Sequence, residues 1–209
     1  PSPPRDPAHR PGLQRPRARA AHGGGDGRLT ARKSGRLRGD PHRNPLGTVP
    51  ALETEAGVIT QSLAIIEYLE ETQPQPPLLP ASAEDRARVR AIAQTIACDI
   101  HPVNNLRVLQ YLGRYFGASQ EQKDAWYQHW VNEGLAAVEK LLAGHPATGT
   151  FCHGETPTMA DCCLVPQVFN ARRFNCPLDA LPTIRRIVDV CEQLPAFQNA
   201  APASQPDAE

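Results

Sequence analysis

The stretch NPLGTVPALETEAGVITQSLAIIEYLEE, residues 44–71, decides how this chain is read. It spells strand, turn, strand, helix. Val49, Ala51 and Leu52 form a short apolar run around Pro50, and Glu53 to Gly57 is a polar, Gly-ended turn of hairpin length. Val58 and Ile59 make a second short strand. Thr60 is placed to cap a helix with Leu63, Ile66 and Leu69 on one face and Glu67, Glu70 and Glu71 on the other. Pro50 inside the first run confines that strand to an edge, a bulge or a cis turn. On pattern alone, Thr-Gln-Ser ahead of an apolar run reads first as a helix cap. The second reading is an anion site, because a helix N-terminus offers free N–H groups and a positive dipole end.

Outward from this stretch the composition divides. The chain has 209 residues, is 40% hydrophobic and carries no formal net charge. That length suits one large domain or two modest ones. Residues 1–43 hold eleven basic side chains against three acidic ones, a net of +8, and the other 166 residues balance them with −8. Such a split marks a tail and a body.

Residues 1–43 contain seven Pro and seven Gly, with only Leu13, Leu29 and Leu37 as large aliphatics and no Phe, Tyr or Trp. That composition cannot bury enough apolar surface to offset chain entropy, so a disordered basic segment is expected. A nucleic-acid arm is a weaker reading, since no aromatic interleaves the arginines to stack on bases. A third expectation is a frameshifted or mis-predicted start joined to an in-frame remainder, because such text is what a GC-rich gene yields out of frame.

No run is long enough to span a membrane and no secretory h-region is present. The six cysteines include no C-x-x-C pair and no zinc-ligand spacing with the histidines, so reduced, buried thiols of a cytoplasmic protein are expected.

Beyond residue 72 the pattern turns helical. TQPQPPLLP, ending at Pro80, is a proline-stiffened linker. Ser82 opens a helix through Val89, Ile92, Ala93, Ile96, Ala97 and Ile100, kinked at Pro102 and continuing to about Phe116. Ser119 caps the next helix, through Trp126, Trp130, Leu135, Val138, Leu141 and Leu142. Thr158 to Asp161 is a capping box for a helix to Arg173, and Pro182 starts another to Gln193. The segmentation expected is 1–43, 44–72, a linker 73–80, an all-α unit 81–200 and a frayed tail 201–209.

NPxGxVPAL followed by a hairpin and TQSxAIxEYLEE resembles the second half of the thioredoxin-like domain of cytosolic glutathione transferases. DIHPVNNLRVL from Asp99 and FCHGETPTMADCCLVPQVFNARRF over 151–174 narrow the resemblance to the zeta class, the maleylacetoacetate and maleylpyruvate isomerases. It covers roughly residues 44–206. It implies a mainly α chain: a transferase fold with a truncated thioredoxin-like α/β N-terminal domain and an all-α C-terminal domain.

The resemblance also implies roles. The Val49–Pro50 bond is cis in the family, and the valine backbone pairs with the cysteinyl part of glutathione. Gln61 and Ser62 hold the γ-glutamyl carboxylate. His101, Asn105, Leu106 and Arg107 line the glutathione site. Arg107 and Arg173 meet the carboxylates of a small acidic dicarboxylate, a task suited to the planar guanidinium fork. Read without the family, the His101–Arg107 segment is a solvated, kinked helix face, and Arg172 and Arg173 are dipole compensation. The Thr158–Asp161 box supports folding and touches no ligand. Glutathione acts as a cofactor returned unchanged: its thiolate adds to the cis alkene, the bond rotates, and elimination leaves the trans isomer. A homodimer is implied as well; no metal is.

The family's thiol-activating serine lies in an S-S-x-S-x-R-V-R motif near the N-terminus. Residues 1–43 hold only Ser2 and Ser34, neither in that context, so no catalytic residue is assigned. One good donor to a developing charge is worth ~3–4 kcal/mol. At most trace isomerase activity is therefore expected, with a non-catalytic binding or dimerisation module as the alternative. Two strands alone are marginal, so 44–71 is expected to be docked on the helical unit but less stable than it.

Overall fold

The computed structural model describes residues 42–205. The expectations for residues 1–41 and for the last four residues lie outside them.

The first element among the described residues is an antiparallel hairpin, β1 (Ala51–Thr54) and β2 (Gly57–Thr60), in the register Ala51 to Thr60 through Thr54 to Gly57. Only Glu55 and Ala56 turn the chain, so the loop is shorter than the Glu53–Gly57 span read from sequence. Gly57 sits at φ 139°, a conformation a side chain would resist. Val49 lies ahead of β1 rather than in it, and the Val49–Pro50 bond is cis.

Helix α1 (Ser62–Thr72) follows at once. Thr60 does not cap it, because Thr60 is held in β2 by its pairing with Ala51. Gln61 takes the cap position at φ 74° with no side-chain cap bond. The buried face of α1 is wider than expected, taking in Ile65 and Glu70 beside Leu63 and Ile66, which pack on the core. The linker folds back over α1, and Glu70 accepts the Leu78 N–H at 2.7 Å. Glu67 forms a two-pronged bond with Arg90 of the next helix.

The helical unit begins with α2 (Ala83–Gln94), whose cap Ser82 accepts the Asp85 N–H. A single kink at Pro102 was expected. Instead the helix widens into a π segment (Thr95–Ile100), where the His101 N–H reaches Ile96 O at 2.9 Å. It then tightens into a 3₁₀ turn (Pro102–Asn104) before α3 (Leu106–Phe116). Pro102 lacks an N–H and its ring crowds the carbonyl four residues back, so the ladder shifts register rather than bending at one point.

Helix α4 (Gln120–Leu142) carries the full Ser119–Gln122 capping box. At Gly134 a Cβ would lie 2.3 Å from Ile100, so this glycine admits the π segment against α4. Helix α5 (Met159–Arg173) starts at Thr158 and holds Pro166 in its interior. The fully buried Asp161 carboxylate accepts the Thr158 N–H and hydroxyl and the Cys152 N–H. Helix α6 (Pro182–Cys191) ends two residues before the expected Gln193, and its first N–H groups, of Thr183 and Ile184, bond the buried Glu139. Helix α7 (Pro195–Ala200) closes the helical unit, and a 3₁₀ turn (Pro202–Ser204) follows it.

One core dominates. Val89, Ile92, Ile100, Val131, Leu135, Leu164, Val168 and Ile187 are fully buried among the helices. The hairpin and α1 contribute only Ala51 and Ile65 as buried apolar side chains. Of the six free cysteines, Cys152, Cys176 and Cys191 are buried, but Cys98 is exposed, contrary to expectation. No helix among the described residues is long and apolar enough to cross a membrane.

Candidate functional site

The hairpin register builds the first half of the site. Because Ala51 pairs with Thr60, the flanking Val49–Pro50 and Gln61–Ser62 lie at the same end of the two-strand ladder. The first intrahelical bond of α1 runs from Ile65 N to Gln61 O at 3.0 Å. The N–H groups of Ser62, Leu63 and Ala64 therefore have no intrahelical acceptor, and no acidic side chain occupies the first turn. Gln61 and Ser62 are both exposed, and neither side chain is engaged among the described residues. Asn44 steadies the approach: it is fully buried and its Nδ2 donates to Thr48 O at 2.7 Å. Val49 is 52% exposed, with no backbone hydrogen bond to another described residue. This is a set of outward-facing peptide groups beside a positive helix end, which suits a peptide ligand bearing a carboxylate.

The second half is the break between α2 and α3. His101 is exposed. Asn105 caps α3 by accepting the Arg107 N–H at 3.1 Å. Leu106 is 66% exposed, and the Arg107 guanidinium makes no ion pair among the described residues. Between them Asn104 is buried, yet both polar atoms of its side chain lack a partner among the described residues. A buried unpaired amide costs free energy, so polar atoms left over at the break mark a place where structure serves something besides packing.

At the end of α5 the two arginines part company. Arg172 pairs with Asp189 and Glu192. Arg173 is exposed and makes no ion pair among the described residues, which leaves its guanidinium available to a ligand. Phe174, just after it, stacks on Tyr127 with centroids 3.7 Å apart. By sequence Trp126 is a core residue and Tyr127 and Gln128 have no role, yet Trp126 donates to Val103 in the turn ahead of the Arg107 helix and the other two contact Phe174, next to Arg173. An aromatic at helical spacing carries no signal that separates a core residue from a brace.

The titratable groups limit the chemistry. Burial pushes the Tyr127 hydroxyl up to about 12, so it does not act as an acid near neutrality. Burial, reinforced by the Asp161 charge, lifts Cys162 to about 11 and Cys191 to about 12. Cys163 is raised to about 12 by burial and the neighbouring thiols, and burial and Asp161 raise Cys152 further still. These shielded thiols are poor nucleophiles; of the six cysteines only Cys98, in the π segment, is exposed. Among the described residues no group of His, Cys, Asp and Glu could hold a metal ion.

Comparison with known proteins identifies the family. Residues 37–77 match the N-terminal domain of glutathione S-transferase and residues 120–198 its C-terminal domain. The maleylpyruvate isomerase of Ralstonia sp is 53% identical over 164 residues, covering 78% of this chain and 77% of that protein. The holo structure of a maleylpyruvate isomerase, a bacterial zeta-class transferase, superposes with a TM-score of 0.79 at 51% identity, covering 81% of this chain and 80% of that one. The maleylacetoacetate isomerase of Anaeromyxobacter dehalogenans 2CP-1, crystallised with dicarboxyethyl glutathione and citrate in its active site, superposes at 0.72 with 41% identity, covering 78% of this chain and 73% of that one. With both family domains matched and half of the aligned residues identical to a zeta-class isomerase, the chain belongs to the glutathione S-transferase family, in the zeta class of maleylpyruvate and maleylacetoacetate isomerases.

Proposed function

We propose that this chain binds glutathione at the end of the hairpin and takes part in glutathione-dependent cis–trans isomerisation of maleylacetoacetate or maleylpyruvate in aromatic catabolism. The observation that carries the reading is the Ala51–Thr60 pairing, which sets the Val49 backbone beside three uncapped N–H groups of α1. Those groups fit the γ-glutamyl carboxylate and the peptide of glutathione.

Glutathione, when bound, supplies the nucleophilic thiol. The chain's residues do the rest. Gln61 and Ser62 hold the carboxylate end at the α1 dipole, and the Val49 backbone orients the peptide. His101, Asn105 and Leu106 border the site from the helix break. Arg107 and Arg173 offer guanidinium groups to the two carboxylates of the substrate and favour the charge that builds up beside them. The hairpin and α1 (44–72), the linker (73–80) and the helices from 81 to 200 serve as glutathione-binding unit, spacer and substrate-binding unit. The protein acts in the cytoplasm as a homodimer.

Turnover is expected to be weak. Residues 1–43 offer only Ser2 and Ser34, outside any Ser-rich context, so the donor that lowers the bound thiol's pKa has no counterpart in the sequence. This also favours a second reading, a glutathione-binding module without catalysis. Calorimetric titration with glutathione, paired with a spectrophotometric isomerisation assay, tests both. Saturable binding with trace turnover is expected. Absence of binding sinks the glutathione reading, and strong turnover sinks the expectation of weak catalysis. Light scattering at defined concentration reads the dimer.

A further inference from the structure

Three successive residues of α4 hold the turn that leads into the Arg107 helix and the end of the helix that carries Arg173, two arginines that make no ion pair among the described residues. Trp126 Nε1 donates to Val103 O at 2.9 Å, in the 3₁₀ turn just ahead of the Asn105 cap. Tyr127 stacks almost parallel on Phe174, with 12° between the rings. Gln128 Nε2 donates to Phe174 O at 2.9 Å. Val103 lies four residues before Arg107, across the extended Asn105 cap that opens α3, and Phe174 directly follows Arg173. Successive helix residues are rotated by about 100°, so Trp126 and Gln128 leave α4 on opposite sides. Helix α4 thus stands between the helix break and the end of α5.

Both bonds end on main-chain carbonyls, so they fix where the backbone runs. The support is stiff, because α4 is capped at Ser119 and buries Val131, Leu135 and Val138 in the core. Two guanidinium groups held at a set separation favour a ligand whose carboxylates match it, and small displacements forfeit that match.

We propose that Trp126, Tyr127 and Gln128 form a bracket that sets the separation of Arg107 from Arg173 and thereby selects which dicarboxylates fit the site. Trp126 and Gln128 are positioning residues in this scheme. The bracket rests on the reading of Arg107 and Arg173 as carboxylate ligands.

The test is calorimetric titration of the full chain with two probes, glutathione and dicarboxyethyl glutathione. The ratio of their dissociation constants isolates the contribution of the added carboxylates. Trp126→Phe and Gln128→Leu are each expected to cut the adduct's advantage by about fivefold, the worth of one hydrogen bond. Gln128→Leu, whose bond runs to the end of α5 and not to the helix break, leaves the glutathione constant itself unchanged. In an Arg173→Ala background, Gln128→Leu lowers the ratio no further. Where Trp126→Phe lowers the melting temperature, Gln128→Leu carries the test. The bracket is overturned if both variants keep the wild-type ratio while Arg173→Ala reduces it, if both probes weaken equally, or if the Gln128 and Arg173 effects add. If Arg107→Ala and Arg173→Ala both leave the ratio untouched, the carboxylate reading itself fails, and the bracket with it.

Discussion

At the residue scale, neighbours in sequence are separated by their partners. Arg172 and Arg173 are alike in composition, helix position and exposure, and nothing in the sequence tells them apart. The fold does, because α6 and the Glu192 cap that follows it bring Asp189 and Glu192 to Arg172 alone. Arg173→Ala is therefore expected to weaken dicarboxylate binding about tenfold or more, as for a charge-assisted bond, while Arg172→Ala leaves it unchanged. Arg172→Ala costs at most ~1 kcal/mol of stability, as exposed pairs do. Titration with malonate in the presence of glutathione, alongside melting curves, separates the two. Ser62 gives a second contrast. Its hydroxyl is exposed and unengaged among the described residues, so Ser62→Ala should lower glutathione affinity about fivefold without moving the melting temperature. Asp161→Ala should do the reverse. It leaves two buried N–H donors and a hydroxyl without their acceptor and costs about 3 kcal/mol or more in denaturant unfolding.

At the element scale, the caps at Ser82, Ser119 and Thr158 were legible because each is a local bargain between neighbours in sequence. What was not legible depended on remote partners. Thr60 reads as a cap until Ala51 claims it for the ladder, and Glu70 reads as a surface carboxylate until the linker returns over it. Pro102 announced a disturbance, but its spread over Thr95 to Asn104 depends on Gly134, which leaves room for Ile100. Pro102→Ala restores the missing N–H and should regularise this stretch. We expect helicity by circular dichroism to hold or rise while glutathione affinity falls, since His101 and Arg107 move with the ladder. Unchanged affinity would mean that the break does not place them. The α1–α2 link has a pH signature. Hydrogen bonding from Arg90 holds Glu67 below the usual carboxylate range against the opposing effect of burial. A depressed carboxylate stabilises the fold above its unfolded pKa and loses that contribution as pH falls through the folded value. Glu67→Gln should therefore be less stable than wild type at pH 7 by no more than ~1 kcal/mol, the side chains being partly exposed. The gap should close on acidification below about pH 4.5. A gap constant with pH would show that the pair contributes nothing.

At the scale of the whole molecule, the two halves of the candidate site stand on supports of unequal strength. Arg107 and Arg173 are carried by helices that share one continuous core, from Val89 on α2 to Ile187 on α6. Val49, Gln61 and Ser62 belong to a hairpin and a single helix. That unit is tied down by Leu63 and Ile66 on the core, by Glu67 to Arg90, and by Glu70 to the linker. Local opening draws on the contacts it breaks, so residues 44–72 should open at lower free energy than α2, α4 and α5. Native-state amide exchange reads this directly: the hairpin and α1 should exchange faster than α2 and α4. Glutathione adds a second, independent reading. A ligand that binds only the closed unit slows its exchange by the factor one plus free ligand over dissociation constant, about a hundredfold at a hundred times that constant. The slowing should be confined to β1, β2 and α1 if opening is local, because exchange in the helical core then proceeds without undocking the hairpin. Equal slowing of α4 and α5 would show that the two units open together and that the hairpin is no weaker than its support. No slowing anywhere would remove the hairpin end as the glutathione site.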